Sequence, residues 1–285
     1  MRTKTIAIFV AVLLAASVWL HATPAAAGDK LQILICYPGG SVRARDAKPA
    51  MDNMVGVLES IGGWPQGTIE TSFTSRLEEC REMLVEKKPP FAIMSLGLFL
   101  EKRDKYQLKP LAQPTIDGRK TDVYRILVRK GSYANLEALK GKKLSGPWLT
   151  EEDFLKRIIF KNSIDPKKFF ELKPSRRALR SLRKLARGKL DAVIVNQRQY
   201  ESLSSLPFAG DLEAVFTSDE LPQMGVVFNA KLARKVDRDR LLKGLGEMCG
   251  HAKGKKLCEL FGIDAFAASC DKTYKKVINL WKSGK

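Results

Sequence analysis

The sequence predicts an α/β protein built as two lobes with a cleft between them. Three observations carry this. Strand-like apolar runs alternate with helix-like amphipathic segments, which implies parallel sheets covered by helices. The alternation occurs twice, either side of a transition near residue 120. Two extended segments, near 120–130 and 220–229, are placed to pass between the halves, so the second lobe is expected to be inserted in the first. The expected bounds are 28–122 and 229–285 for lobe 1 and 123–228 for lobe 2.

The first half opens with Leu31-Gln-Ile-Leu-Ile-Cys-Tyr37, an apolar run stopped by Pro38-Gly39-Gly40. A helix is expected from Pro49 to Ile61, with Met51, Met54, Val55 and Leu58 on one face and Gly62-Gly63 ending it. A strand over Thr68–Phe73 leads to Thr74-Ser75, which suit a helix cap, and to a helix over Arg76–Lys87. Phe91–Met94 reads as a third strand opening into Ser95-Leu96-Gly97 and another helix.

The second half begins with two extended segments, Leu108–Ile116 and Asp122–Arg129, turned at Asp117-Gly118. A short turn at 136–142, a strand over Lys143–Trp148 and a helix over Glu151–Asn162 follow. Phe169–Leu172 is expected to be a strand, Arg176–Arg187 a basic helix, and Leu190–Val195 a buried strand. Gln223–Phe228 is a last extended segment, and helical pieces from about Arg238, Lys255 and Lys272 close the chain.

Ahead of all this, residues 1–27 read as a secretory signal. Arg2 and Lys4 precede an apolar run from Ile6 to Leu20, and Ala25-Ala26-Ala27 offers a cleavage site. The run of about 15 residues falls short of the roughly 20 that span a bilayer. The expected product is therefore periplasmic and untethered, and a monomer. What remains is long enough for one large α/β domain or two of about 130 residues.

The 285 residues carry 50 Lys and Arg against 31 Asp and Glu, a formal charge of +19. These cations spread along amphipathic helices without interleaved aromatics, which argues against nucleic acid as the partner. A basic surface or a positive field steering anions to a cleft accounts for them. The Arg176–Arg187 helix reads as a solvated face, with docking to an acidic membrane or partner as the alternative. Among Cys249, Cys258 and Cys270 one disulfide pair is expected, and Cys36 reads as a buried thiol. No ligand spacing for zinc occurs, and neither a metal nor a cofactor is expected. Enzyme motifs are missing too, so catalysis is not expected.

Four stretches, in order, resemble the type II periplasmic solute-binding proteins, and more narrowly the phosphate/phosphite/phosphonate-binding branch serving ABC transporters. They are Lys88-Pro-Pro-Phe-Ala-Ile-Met-Ser-Leu-Gly97, then Leu111-Ala-Gln-Pro-Thr-Ile-Asp-Gly118 followed by Tyr124-Arg-Ile-Leu-Val-Arg129. Leu136-Glu-Ala-Leu-Lys-Gly-Lys-Lys-Leu144 and Gly188-Lys-Leu-Asp-Ala-Val-Ile-Val195 complete the set. The resemblance implies a bilobal type II fold that captures a small anionic solute and delivers it to an ABC permease of the inner membrane.

The chain departs from the family at two places. Where a Ser/Thr-rich turn opens the second-lobe helix, it reads Gly146-Pro-Trp-Leu-Thr-Glu-Glu-Asp153, and Glu151, Glu152 and Asp153 would repel a phosphonate. The residue after the Ala-Val-Ile-Val strand, often acidic in the family, is Asn196. An exported module that reports ligand to a membrane receptor, or binds another exported protein, is the alternative function.

Type II clefts are built from loops at the carboxyl ends of strands. That logic nominates Tyr37 and Ser41 after the first strand, Thr74 and Ser75 after the second, and Ser95 after the third. Tyr124 and Arg125 enter the hinge, Trp148 and Thr150 open the second-lobe helix, and Asn196 follows its last strand. Arg125 suits a bidentate grip on a carboxylate or phosphonate, and Tyr37 and Trp148 suit walls for an organic ligand. Each has a plainer reading as a cap, a packed ring or an exposed strand residue.

Overall fold

The computed structural model describes residues 30–38 and 43–284. The expected signal peptide and Ser41 lie outside the described residues. Among these, no helix is long and apolar enough to cross a membrane.

The chain starts with β1 (Leu31–Cys36), α1 (Ala44–Gly62), β2 (Ile69–Thr74), α2 (Leu77–Glu86), β3 (Phe91–Ile93), α3 (Leu96–Tyr106) and β4 (Leu108–Thr115). β1 lies parallel between β2 and β3, its residues buried on both faces as the continuous apolar run requires. Gly63, left-handed at φ 71°, ends α1 by donating its amide to the Glu59 carbonyl.

The chain then leaves the first sheet through β5 (Thr121–Asp122) and builds a second one. This comprises β6 (Tyr124–Arg129), β7 (Lys143–Gly146), α4 (Glu152–Phe154), α5 (Pro166–Phe169), β8 (Glu171–Pro174), α6 (Ala178–Ala186), β9 (Ala192–Asn196), α7 (Gln197–Glu201) and β10 (Leu212–Thr217). It returns through β11 (Leu221–Pro222), which pairs antiparallel with β5. β12 (Val226–Asn229), α8 (Lys235–Met248), α9 (Ala252–Phe261), β13 (Ala265–Ala268) and α10 (Lys275–Ser283) complete the fold.

The first sheet runs β13-β4-β12-β3-β1-β2 and the second β10-β6-β9-β7-β8, joined by the β5–β11 ribbon. The molecule is therefore the expected bilobal type II architecture, one α/β lobe inserted in another. Because β12 lies antiparallel between β3 and β4, residues 226–228 belong to the first sheet, and lobe 2 ends earlier than 228.

Several local expectations need correction. Asp117 and Gly118 do make a tight turn, both at positive φ (49° and 73°), with Ile116 and Arg119 exchanging backbone hydrogen bonds. The strands it joins nonetheless part into different sheets. Residues 166–169 are a helical turn, because Pro166 presets helical φ behind Asp165, and the strand follows at Glu171–Pro174. The strand from Lys143 ends at Gly146, since Pro147 starts a 3-10 turn. The Glu151–Asn162 helix is a short α turn running into a π turn over Leu155–Ile159 and stops before Lys161 and Asn162, both at positive φ. α7, β10 and β13 had no counterpart in the sequence reading.

One hydrophobic cluster runs through both lobes, joining Leu98 and Phe99 of α3 to Ile126, Leu144 and Ile194 of the second sheet. α10 belongs to the same cluster through Val277, Ile278 and Trp281, so the C-terminal helix seals the lobes together. Arg157 lies over the Trp281 ring at 5.0 Å and donates to its carbonyl at 3.2 Å. Separate clusters back each sheet, under α1 and α8 in lobe 1 and under α6 in lobe 2. Cys249 and Cys258 form the expected disulfide, tying the end of α8 to α9, while Cys270 is exposed and Cys36 is a buried free thiol.

Replacing Trp281 by Ala removes a ring buried between the lobes. A stability loss of about 3 kcal/mol is expected in urea denaturation, the usual range for a large buried aromatic. A loss under about 1 kcal/mol would mean that α10 does not hold the lobes together.

Candidate functional site

The carboxyl ends of β1, β2 and β3 face those of β7, β8 and β9 across the gap between lobes, and the contacts there are specific. Ser95 caps α3: its Oγ accepts the Leu98 amide at 3.2 Å and donates to Glu151 Oε2 of lobe 2 at 2.7 Å. Glu151 is only 5% exposed, and its Oε1 has no hydrogen-bond partner. Gly97 makes this approach feasible, because a Cβ there would collide with Glu151 Oε2 and with Phe154. Burial pushes the Glu151 carboxyl up to about 7, against the downward pull of the Ser95 hydroxyl and the Leu98 amide.

A second buried carboxylate sits at the hinge. Asp122 accepts the Gln197 amide at 3.0 Å and the Val123 amide at 2.9 Å, and Asn196 Nδ2 donates to it at 3.1 Å. Asn196 meanwhile caps α7, its Oδ1 accepting the Gln199 amide at 3.0 Å, with the Gln199 side chain closing a capping box. Burial pushes Asp122 above the usual carboxylate range although all three of these donors pull it down. Two helix starts at the cleft thus each hold a carboxylate of the protein itself.

Aromatic rings line the space between them. Tyr124 is buried edge-on to Trp148 (4.9 Å) and to Phe154 (5.7 Å). Burial drives its phenol well above its ordinary value, and the Asp122 and Glu151 charges act in the same direction. Tyr37 is 62% exposed at the mouth, within electrostatic reach of Arg198 and Asp122. At the rim, Arg176 Nη1 donates to Ser75 Oγ at 3.2 Å, a second polar link between lobes.

The structure thus brings Tyr37, Ser75, Ser95, Tyr124, Trp148 and Asn196 to the cleft or its rim. Thr74 is buried, bonded to Glu79 and accepting the Arg76 amide at 3.1 Å, so it shapes the β2–α2 turn. Arg125 does not join them. Strand alternation turns it to the other face of β6 from Tyr124, where it donates to Gln197 at 2.6 Å and covers the Tyr200 ring at 4.4 Å. Thr150 is exposed and caps nothing, since the cap position of α4 falls on Glu151.

Asp122 and Arg176 were missed, and the run Glu151–Asp153 was read only as a repulsive helix start. Asp122 follows the Asp117-Gly118 turn and stands two residues before β6, but nothing in its local sequence marks it as buried.

A two-lobed architecture with polar and aromatic groups converging from strand ends defines a type II periplasmic-binding protein. Residues 40–274 match the family described as the periplasmic substrate-binding protein of phosphonate ABC transporters, and the chain belongs to that family. Among solved structures it is similar to a binding protein component of an ABC phosphonate transporter from Pseudomonas aeruginosa, with TM-score 0.67 and 17% identity over 88% of this chain and 86% of that one. It is also similar to a Xanthomonas citri protein bound to ATP (TM-score 0.67, 15% identity, 90% and 97% covered). A Prochlorococcus marinus protein in complex with methylphosphonate is a further match (TM-score 0.64, 14% identity, 89% and 98% covered). No curated protein matches the chain.

Glu151 has a pH signature. Its folded carboxyl titrates near 7, above the ordinary 4.5, so the folded state holds the proton more tightly. Stability from this group is full below about pH 4.5 and lost as pH rises through about 7, by roughly 3 kcal/mol. Glu151→Gln is expected to remove that decline, so its stability relative to wild type should rise between pH 5 and 8 in urea denaturation. A pH-independent difference between the two would show that the carboxyl is not buried as described.

Proposed function

We propose that the protein is exported, captures a small phosphonate-like anion between its lobes without turning it over, and presents the closed form to an ABC permease. The observation that carries the reading is the start of α3. A carboxylate already occupies it beside the Ser95 hydroxyl and the Leu98 amide, so the spot accepts anionic oxygens. Tyr124 and Trp148 stand beside it as an apolar wall for the organic part of a solute. Family membership and the positive charge of the chain support the same ligand class.

On this reading Glu151 competes with the solute. An anion enters either by displacing its carboxylate or beside its protonated form, since two unpaired anions in one buried site repel each other. Capture should therefore strengthen as pH falls below about 7. The alternative, a non-transport binding module, is favoured by the tightness of the closed cleft, where Glu151 and Phe154 are already seated against Gly97.

A thermal-shift panel tests the reading, because ligands of the native state raise its melting temperature by mass action. Methylphosphonate, phosphite and phosphate are expected to raise it more at pH 6 than at pH 8, and Glu151→Ala to enlarge the shift at pH 8. Shifts confined to amines would make Glu151 a counter-ion for a cationic solute. The absence of any shift, in the variant as well, would leave the non-transport module.

A further inference from the structure

Lobe 2 carries a second concavity, independent of the cleft reading. A cavity of about 580 Å³ lies between the face of α6 and the β7–β8 pair. Arg180 and Lys184 enter it from α6 and Arg177 from its N-cap, all at helical spacing, Lys143 from β7, and Lys189 from the turn before β9. Its base holds the Ser145 and Ser181 hydroxyls, both buried and 3.0 Å apart.

The charges here are arranged differently from those on other helices. On α2 and α8 a cation is followed or preceded by its own acid, as in Arg81–Glu78 and Lys235–Asp239. In the cavity the only acidic lining residue is Glu171, which pairs with Lys173. Among the described residues, none of the side-chain cations of Lys143, Arg177, Arg180, Lys184 and Lys189 pairs with a carboxylate within 4.0 Å. Asp191 lies beside Lys143, but it accepts that residue's backbone amide at 2.9 Å and the Tyr133 hydroxyl at 2.7 Å. A merely solvated face gains nothing from gathering unpaired cations from separate elements around one concavity, where they repel one another. A bound polyanion removes that repulsion.

The shape selects among polyanions. Register pairs Lys143 with Glu171 at one end of the strands and Gly146 with Pro174 at the other, next to Arg176 at the cleft rim. The groove therefore runs about 10 Å along the strands. Its cations are spaced along that length, which suits several anionic groups in a row better than a single phosphate. A concave floor carrying two buried hydroxyls suits a soluble chain better than a flat membrane surface. We propose that this groove binds a soluble chain of linked phosphates, with the arginines as forks and the lysines as point charges along it.

Isothermal titration of the protein beginning at Gly28 with inorganic tripolyphosphate tests this. Tripolyphosphate is expected to bind at least about tenfold more tightly than orthophosphate and to weaken as salt rises. Arg180→Glu with Lys184→Glu should cost about tenfold or more in affinity with an unchanged melting temperature. Lys255→Glu with Lys256→Glu on α9 changes net charge equally and should cost less than about twofold. Equal losses from the two charge-reversal pairs would overturn the proposal. Failure to bind tripolyphosphate, including failure accompanied by binding to phosphatidylglycerol vesicles, would overturn it as well.

Discussion

Glu151 belongs to lobe 2 yet spends its carboxylate on the first turn of a lobe 1 helix, and the rest of the cleft is arranged around that fact. To reach Ser95 it needs a neighbour without a side chain at position 97. It also needs the 3-10 turn that Pro147 imposes after β7, which swings Trp148 toward Tyr124 and leaves Glu151 aimed across the gap. Once there, it is cut off from water with one oxygen bonded and the other bare. Such a group is costly as an anion and cheap as an acid. The contact of Glu151 with Ser95 therefore favours the protonated carboxyl.

Asp122 is the instructive contrast. It is nearly as well buried, but amides of Val123 and Gln197 and the side chain of Asn196 point at it, so its charge is met by donors of its own hinge. Asn196 matters here because it is neutral. An acid at that position would set two carboxylates against each other, whereas the amide caps α7 with its oxygen and serves Asp122 with its nitrogen. Of the two, Asp122 is anchored and Glu151 is conditional.

The lobes and their order were legible because apolar runs and helical spacing repeat on either side of the Asp117-Gly118 turn, and those patterns depend only on local chemistry. What escaped notice depended on partners distant in sequence. β10 and β13 are edge strands, half exposed: β10 mixes polar and apolar residues without clean alternation, and β13 is three alanines around one Phe, a weak strand signal. Arg125 looked like a ligand fork because its residue type suits one, but the two-residue period of β6 assigns it to the face opposite Tyr124. Ser95 was legible since a small polar residue between a strand and an apolar helix is a cap by position. Its partner across the cleft was not, because only the closed tertiary arrangement brings residues 95 and 151 together.

The whole chain is strongly positive while the interior of its cleft holds two carboxylates, and distance decides which governs a solute. Surface cations act through water and salt, where fields fade over about 8 Å at physiological ionic strength. They raise the local concentration of anions and speed encounter, but contribute little once a solute is inside. Within the cleft Glu151 acts over hydrogen-bond distance with water excluded, where a unit charge counts for several times more. On the proposed reading, an anion drawn in by the exterior is accepted or refused by the protonation of a single buried carboxyl. The cations that face no such gate are those of the α6 groove, exposed to solvent, where the one lining acid, Glu171, is already paired with Lys173.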